Sequence, residues 1–343
     1  MNSSKPLISI IIVSWNGLHW LKICIKSIMK QSWKGYEIII IDNGSCDGTK
    51  EWLRKKYPGV ILIRNTRNIG FAAANNQGYK KAKGKYILFL NNDTKLMKHC
   101  IREAIRQLEN DPLLAGVQSK LLLMDNPKRL DSIGAFLTPT GFLYHYGYGK
   151  RDEQKYQKSI QLYTAKGACM FFKRDVLEMV AMQGNIFEPE YFAYFEETDM
   201  CHRVWLAGYS ILYAPLSVVL HKTGATSLRI DNALVQYHAF KNRINSYIKN
   251  LNTYHLVLIL PMHLLLCIMY SIISFFRLKW DISKATLQAI YWNITNLKST
   301  LKKRKYVQSR IRKKTDEDIW PMIYRAPKLS YYWNLLRGAP EYD

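Results

Sequence analysis

Short apolar runs alternate with longer mixed stretches through the first 90 residues. The runs, at 8–13, 37–41, 60–63 and 86–90, are rich in Ile and Val and do not show the polar alternation of a half-exposed strand. The intervening stretches at 18–30, 49–56 and 72–82 are predicted to be helices. Strands that alternate with helices are typical of crossover units, so the pattern predicts an α/β fold with a mainly parallel sheet and flanking helices.

Polar residues and glycines follow each of these predicted strands. They lie at 15–17, 42–44, 65–70 and 91–93. The carboxyl ends of parallel strands meet at one edge of a sheet, where open α/β sheets bind their ligands. We therefore expect a binding site at this edge.

A second group of elements follows to about residue 240. Residues 115–175 are mixed and rich in turns, with many Gly and Tyr. The expected elements are a helix at 99–111, an apolar strand at 168–172, a helix at 174–182, an acidic aromatic segment at 188–199, a helix ending at Ala207, and strands at 210–213 and 218–221. We predict one catalytic domain over residues 1–240.

The composition changes after residue 240. Residues 256–276 are almost entirely apolar, and 21 residues just suffice to cross a bilayer. We expect no downstream apolar surface to cover this helix. Residues 277–343 carry 15 Lys and Arg against 6 Asp and Glu, a net charge of +9. Because both flanks of the apolar stretch are basic, a single crossing would conflict with the positive-inside tendency.

Residues 241–343 are therefore predicted to be a helical, basic, membrane-associated region. We expect the apolar helix to lie in the interface, or to re-enter at Pro261, at the cytoplasmic face of the cell membrane. The segment 250–314 would contact anionic headgroups. A single span is the less favoured alternative.

The whole chain carries a net charge of +24, which indicates a polyanionic partner. The densest basic block follows the apolar helix, and no nucleic-acid module is evident, so membrane and phosphate are favoured over nucleic acid. The 48% apolar share excludes wholesale disorder. Six scattered cysteines without a CxxC pair indicate reduced thiols.

Four constellations carry candidate chemistry. Asp42 ends a strand and can accept from a base or a ribose, although the turn around it also has a purely structural interpretation in which Asp47 caps the next helix. The segment 67–78 opens a helix with small residues. Its free amides suit an anion or a base edge, and close packing on the sheet explains it equally well.

Asp93 lies at the mouth of a buried strand, where a carboxylate can hold a divalent metal against two phosphates. His221, at the end of a later apolar strand, is a plausible second ligand. Glu196, Glu197 and Asp199 follow a run of aromatic residues. We expect Asp199 to pair with Arg203 as scaffold and Glu197 to have a raised pKa suited to a general base.

In their order and spacing, these pieces resemble the inverting glycosyltransferases of family 2, which share the GT-A fold. The resemblance covers about residues 6–228. The pieces are SIIIVSWNG, IDNGSCDGT, RNIGFAAANNQG, LNNDT, GACMFFKRDVL, EETDMCHR and VVLHKTGATS.

The resemblance implies a nucleoside diphosphate sugar as donor. It implies base contact by Asp42, metal and diphosphate binding by residues 91–93 with Mg or Mn, a metal ligand at His221, and catalysis by Glu197. The complete set of predicted donor-binding residues is Ser14, Asn16, Asp42, Asn68, Asn75, Asn91 and Asn92, with Glu196, Asp199 and Arg203 supporting catalysis.

Two positions depart from the common pattern of the family. The metal motif is Asn-Asn-Asp and not Asp-x-Asp, and the base is Glu197 and not Asp. This variant set resembles the rhamnosyltransferase-like branch, which implies dTDP-rhamnose or a UDP-sugar as donor and a polyprenyl-diphosphate-linked or polysaccharide acceptor. The Gln-x-x-Arg-Trp motif of processive synthases is absent, so we expect transfer of one or a few sugars.

Two alternatives belong to other classes. A sugar nucleotidyltransferase would carry a Gly-rich basic loop after the first strand, and residues 14–17 do not resemble one. A basic membrane adaptor without catalysis is the second alternative.

Overall fold

The computed structural model describes residues 8–224 and 231–332 of the 343-residue chain. Its first part alternates strands and helices as the hydrophobic pattern predicts. The elements are β1 (Ile8–Ser14), α1 (Leu18–Met29), β2 (Tyr36–Asp42), α2 (Thr49–Lys56), β3 (Ile61–Arg64), α3 (Phe71–Lys81), β4 (Tyr86–Asn91), β5 (Thr94–Leu96) and α4 (Cys100–Asn110).

The middle of the chain adds strands to the same sheet and a small second sheet. Its elements are β6 (Leu114–Leu123), β7 (Asn126–Ser132), β8 (Ala135–Leu137), β9 (Leu143–His145), β10 (Cys169–Lys173), α5 (Arg174–Val180), α6 (Glu196–Leu206) and β11 (Ser210–His221). Helices follow: α7 (Asn232–Asn250), α8 (Thr253–Phe276), α9 (Trp280–Thr295), α10 (Leu297–Tyr306), a π-helical turn (Val307–Ile311) and α11 (Asp316–Ile323).

In the described part of the chain the main sheet has nine strands, in the order β3-β2-β1-β4-β10-β6-β11-β5, with β7 paired to β6. The pairs β1–β2, β2–β3, β1–β4 and β6–β11 are parallel. Strand β10 runs antiparallel between β4 and β6. The predicted α/β class with flanking helices is confirmed, and the antiparallel β10 makes the sheet mixed.

The central strands are buried on both faces, which explains their continuous apolar runs. Ile10 and Ile12 of β1 belong to the core on one side of the sheet, together with helices α1 and α4. Ile11, between them, belongs to the core on the other side. The alternation of side chains along one strand thus supplies both cores.

Helix α3 lies close against the sheet. A Cβ added at Gly78 would come within 2.5 Å of Ile11 Cγ2 and 2.7 Å of Ile41 Cδ1, so only glycine allows this approach. Ala72 and Ala74 are also buried. The structural interpretation of these small residues, close packing on the sheet, is therefore correct for the helix interior.

The C-terminal helices complete the larger core. Tyr247, Leu251, Val307 and Ile323 belong to the same apolar cluster as the central strands. The predicted division at residue 240 falls inside the continuous helix α7.

Helices α8 and α9 form an antiparallel hairpin. Ser271 Oγ donates to the backbone carbonyl of Ser283, and Cys267 packs with Ala289 and Phe240. At the turn, Leu278 N–H donates to Phe275 and Lys279 N–H to Ser274, the pairing of a Schellman motif. The chain thus reverses at 277–279, and α8 continues through Pro261 without a break.

By its length and composition, helix α8 could cross a membrane. Its inner side packs on α7 and α9, so the expectation that no downstream surface covers it is wrong for that side. Its outer side exposes a continuous apolar surface that includes Val257, Leu265, Ile272 and Phe276.

Candidate active site

A cavity of about 390 Å³ lies at the carboxyl ends of the central strands, where the pattern predicts a site. Its walls come from the ends of β1, β4 and β11, the segment 166–168, the loop 192–194, and the first two residues of α6. Of the predicted site residues, the cavity is lined by Asn68, Asn91, Asn92, Asp93, Glu196, Glu197 and His221.

Glu196 and Glu197 are the first residues of α6. Burial raises the pKa of both carboxyls above the ordinary 4.5, and the charge of Glu197 raises that of Glu196 further. Two effects lower the pKa of Glu197 in part. Its carboxylate accepts hydrogen bonds from backbone N–H groups at the helix start and at Gly167, and the Lys166 ammonium lies nearby. Both carboxyls therefore bind a proton more readily than an exposed glutamate does, which suits this pair to proton transfer.

Asp199 and Arg203 lie beneath this pair, outside the cavity lining, and are fully buried. Arg203 Nη2 lies 3.3 Å from Asp199 Oδ2, the expected i,i+4 pair. Lys249 of α7 adds a second cation, with Nζ 3.0 Å from Asp199 Oδ1. These contacts fix α6 to α7 and so position the two glutamates above.

Asp93 and His221 meet on one wall of the cavity. His221 Nε2 lies 3.4 Å from Asp93 Oδ1, and His221 Nδ1 lies 2.8 Å from Asp131 Oδ2. Burial alone would lower the pKa of His221. The hydrogen bonds to the Asp131 and Asp93 carboxylates have the larger combined effect, so the pKa of His221 lies above its ordinary value. Asp131 is a residue that sequence reasoning missed.

The wall fits a divalent cation that draws further ligands from a substrate. Asp93 Oδ1 is buried and has no hydrogen-bond partner among the residues described. A metal-bound histidine typically donates its other N–H to a carboxylate, as His221 can to Asp131. Within 8–224 and 231–332 no cluster of three or more His, Cys, Asp or Glu could hold a metal alone. Magnesium is usually bound in this way, by few carboxylates together with phosphate oxygens.

Asp131 organises three side chains of the cavity wall. Besides His221, it accepts from Lys166 Nζ at 2.8 and 2.9 Å and from Thr223 Oγ1 at 3.0 Å. Burial would raise the pKa of Asp131, but Lys166 and His221 hold it well below its ordinary range. Lys166, like Asp131, belongs to none of the motifs in the sequence.

Asp42 and Asn16 lie behind the cavity, at the ends of β2 and β1. Asp42 Oδ1 accepts from the Ser45 backbone at 2.9 Å, while Oδ2 is buried without a hydrogen bond and lies 3.7 Å from Arg64 Nε. Asn16 Oδ1 accepts from the Cys46 backbone. Asp47 accepts from the backbone of Thr49 and Leu18 and ties the starts of two helices, as its structural interpretation expects.

Asparagines hold the strand ends in place. Asn43 Nδ2 donates to Asn68 Oδ1 at 2.7 Å, and Asn92 Nδ2 donates to Ser14 Oγ at 3.0 Å. Asn75 is buried in α3, donates to the Phe71 carbonyl and does not line the cavity.

The loop before α6 adopts an unusual backbone. Phe192, Tyr194 and Phe195 have φ of 58°, 72° and 72°, a region that costs non-glycine residues free energy. Asn242 of α7 donates to the carbonyls of Tyr191, Ala193 and Tyr194 and holds this loop. Asn242 is therefore a positioning residue that the sequence did not reveal.

Comparison with known proteins identifies the chain. The model of the family described as glycosyl transferase family 2 matches residues 9–180, half of the chain. The match includes β1, β4 and Asp93 and ends before Glu197 and His221. The chain belongs to glycosyl transferase family 2. The family match thus confirms the predicted resemblance of this glycosyltransferase to family 2. Residues 225–227 of the last motif lie outside the described residues.

Two curated relatives match the glycosyltransferase over part of their length. An uncharacterized protein of Sinorhizobium fredii is 28% identical over 235 residues, which are 64% of this chain and 25% of that protein. The putative teichuronic acid biosynthesis glycosyltransferase TuaG of Bacillus subtilis is 34% identical over 101 residues, 29% of this chain and 40% of TuaG. The chain thus spans less than half of either relative.

A solved structure shares the fold of the glycosyltransferase. The mannosyltransferase PcManGT of Pyrobaculum calidifontis, in complex with GDP-Man and Mn²⁺, superimposes with a TM-score of 0.53 at 16% identity. The match covers 89% of this chain and 86% of PcManGT, so it extends well beyond the residues matched by the family model. The predicted GT-A fold is confirmed.

Proposed function

We propose that this glycosyltransferase transfers a sugar, with inversion, from a nucleoside diphosphate sugar to a hydroxyl of a lipid-linked or polysaccharide acceptor. The favoured donors are dTDP-rhamnose and UDP-sugars. The observation that carries the proposal is that Glu197 and the Asp93–His221 pair line one cavity. A proton acceptor and a diphosphate wall thus face the same space.

In the proposed reaction, Glu197 accepts the proton of the acceptor hydroxyl. The hydroxyl oxygen forms a bond to the anomeric carbon while the bond from that carbon to the diphosphate breaks, and its electron pair leaves with the diphosphate. Attack opposite the leaving group inverts the configuration, and no covalent enzyme intermediate is required.

Asp42, whose Oδ2 has no hydrogen bond and lies 3.7 Å from Arg64 Nε, would accept from the nucleotide base, supported by Asn16 and Asn68. Asn91 and Asn92 would lie along the diphosphate, and Asp93 with His221 would hold Mg or Mn. A bound divalent cation would neutralise charge on the departing diphosphate. PcManGT, which contains Mn²⁺ and GDP-Man, supports a metal and a nucleotide sugar at this type of site.

We test donor binding by thermal denaturation of the intact chain with dTDP-rhamnose, UDP-glucose and GDP-mannose, with and without Mn²⁺. A donor that binds the native state raises the melting temperature. At a concentration of 100 times its dissociation constant, it adds about 2.7 kcal/mol to the free energy of unfolding. We expect one donor to do so in the presence of Mn²⁺. Asp42→Asn should reduce the shift, whereas Asp125→Asn, an exposed control, should not. A melting temperature unmoved by all three would contradict the proposed donor class.

The acceptor is proposed to be presented at a membrane. The turn between α8 and α9 exposes Phe276, Leu278 and Trp280, with relative exposures of 78%, 76% and 59%. Because α9 packs on both α7 and α8, the hairpin is held against the catalytic body, which supports a monotopic position in the cytoplasmic leaflet over a single span. The link of TuaG to teichuronic acid biosynthesis is consistent with cell-surface glycan synthesis.

Flotation of the intact chain with vesicles of phosphatidylglycerol and phosphatidylcholine measures this contact. Replacing Phe276 and Trp280 with serine should weaken binding by roughly tenfold or more, since each large apolar side chain contributes about 1.5–3 kcal/mol when buried. Leu113→Ser, at an exposed leucine in the loop between α4 and β6, is the matched control. Equal flotation of all three proteins would rule out the hairpin turn as the anchor.

A further inference from the structure

Lys166 presents a cation on the cavity wall. Its ammonium bonds both oxygens of Asp131, at 2.8 and 2.9 Å, and its side chain is 32% exposed. These bonds use two of the three ammonium protons. Because Lys166 lines the cavity, the third is available to a ligand there.

The Lys166 ammonium lies beside the predicted diphosphate site. Asp131 Oδ2 bonds both Lys166 Nζ and His221 Nδ1, which brings the two side chains together. His221 in turn lies 3.4 Å from Asp93. Since Asp131 is fully buried and held by three partners, it fixes the ammonium in this position.

The Asn-Asn-Asp motif on this wall provides no positive charge for a diphosphate. Asn91 and Asn92 carry none, and Asp93 is an anion that would repel a diphosphate unless cations intervene. With one carboxylate in the Asn-Asn-Asp motif, the metal has few protein ligands. A fixed ammonium supplies positive charge that does not depend on metal occupancy.

We propose that Lys166 binds the diphosphate of the nucleotide donor and that Asp131 is its positioning residue. This inference rests on the proposed function, since it assumes a nucleoside diphosphate in the cavity. Lys166 donates a charge-assisted hydrogen bond to a phosphate oxygen, and the same contact stabilises the diphosphate as it leaves.

Calorimetric titration of the intact chain with UDP, dTDP and GDP at fixed Mg²⁺ tests the contact. Lys166→Met is expected to weaken the diphosphate that binds best by about 10- to 100-fold, the range for a hydrogen bond to a charged group. Lys166→Arg should retain most of the affinity. The matching nucleoside, followed by ligand-observed NMR, should bind both variants as it binds the wild type, because it has no phosphate.

Lys120 provides a matched control. Its Nζ bonds both oxygens of Asp152, at 3.0 and 2.9 Å, but Lys120 does not line the cavity, so Lys120→Met should leave diphosphate affinity unchanged. If Lys166→Met bound the diphosphate as tightly as the wild type, or lost nucleoside affinity equally, this inference would be overturned and the proposed function would stand. A wild-type chain that bound none of the three diphosphates would overturn the proposed function and this inference with it.

Discussion

Replacing Glu197 with glutamine is expected to reduce sugar transfer by about 10²- to 10⁴-fold, the usual contribution of a general base. Glutamine keeps the size and the hydrogen-bonding shape of the side chain but cannot accept the proton. The neighbouring contacts at the start of α6 do not need the charge of Glu197, because Asp199 makes the ion pairs that hold the helix. Transfer rates at saturating donor, with the melting temperature as a check on folding, measure the effect.

The pH profile gives a second readout of the same residue. Because burial raises the pKa of Glu197, the rate should fall as the pH drops through a value above the 4.5 of an ordinary glutamate. Glu197→Asp should keep part of the activity with an acidic limb, whereas Glu197→Gln should lose the limb. Glu196→Gln is the matched control and should have the smaller effect, because the proposed reaction assigns the proton transfer to Glu197. Nearly wild-type transfer by Glu197→Gln would remove this residue from the mechanism.

The strands β1 to β4 and the helices between them could be predicted, because the hydrophobic pattern that marks each of them is local in the sequence. The Ile-rich runs of β1 and β2 are buried on both faces, and few alternatives to a central strand explain such runs. Strand β7, with the sequence NPKRLDS, has no such signal. It pairs with β6 alone, and its first three residues are exposed. The sequence pattern predicts two strands, at 210–213 and 218–221, whereas the structure has one strand, β11, whose pairing with β6 shifts register between Ala214 and Val218.

The candidate site was predictable where it follows strand ends and missed where it depends on distant contacts. Asp93 and Glu197 each stand in a recognisable local motif. Asp131 is polar, lies at the end of β7, and becomes a central site residue only through His221, 90 positions away. Asn242 is likewise one polar residue among many in α7 until the loop before α6 folds onto it. Such roles arise from tertiary structure, which spacing along the chain does not encode.

The ion pairs under the active site make Asp199 the residue whose loss should cost the most stability. Its carboxylate is fully buried and contacts Lys249 Nζ at 3.0 Å, Arg203 Nη2 at 3.3 Å and Asn250 Nδ2 at 2.9 Å. Asp199→Asn would remove the carboxylate partner of the buried Arg203 and leave Lys249 with Glu188 alone, at 3.2 Å. Breaking a buried ion pair from one side typically costs about 3–5 kcal/mol. We expect a loss of this size in the free energy of unfolding, measured in urea at pH 7.

The dependence on pH should identify the charge of Asp199 as the cause. Burial would raise the pKa of Asp199, but Lys249 and Arg203 hold it well below its ordinary range of about 3.9. A depressed pKa adds stability above the unfolded value and loses it as the pH falls, so the wild type and Asp199→Asn should converge in acid. Glu153→Gln, in an exposed pair with Lys155, should change stability by less than about 0.5 kcal/mol. A cost below about 1 kcal/mol for Asp199→Asn, or a difference from wild type that persists unchanged in acid, would show that packing and not this ion network fixes α6 to α7.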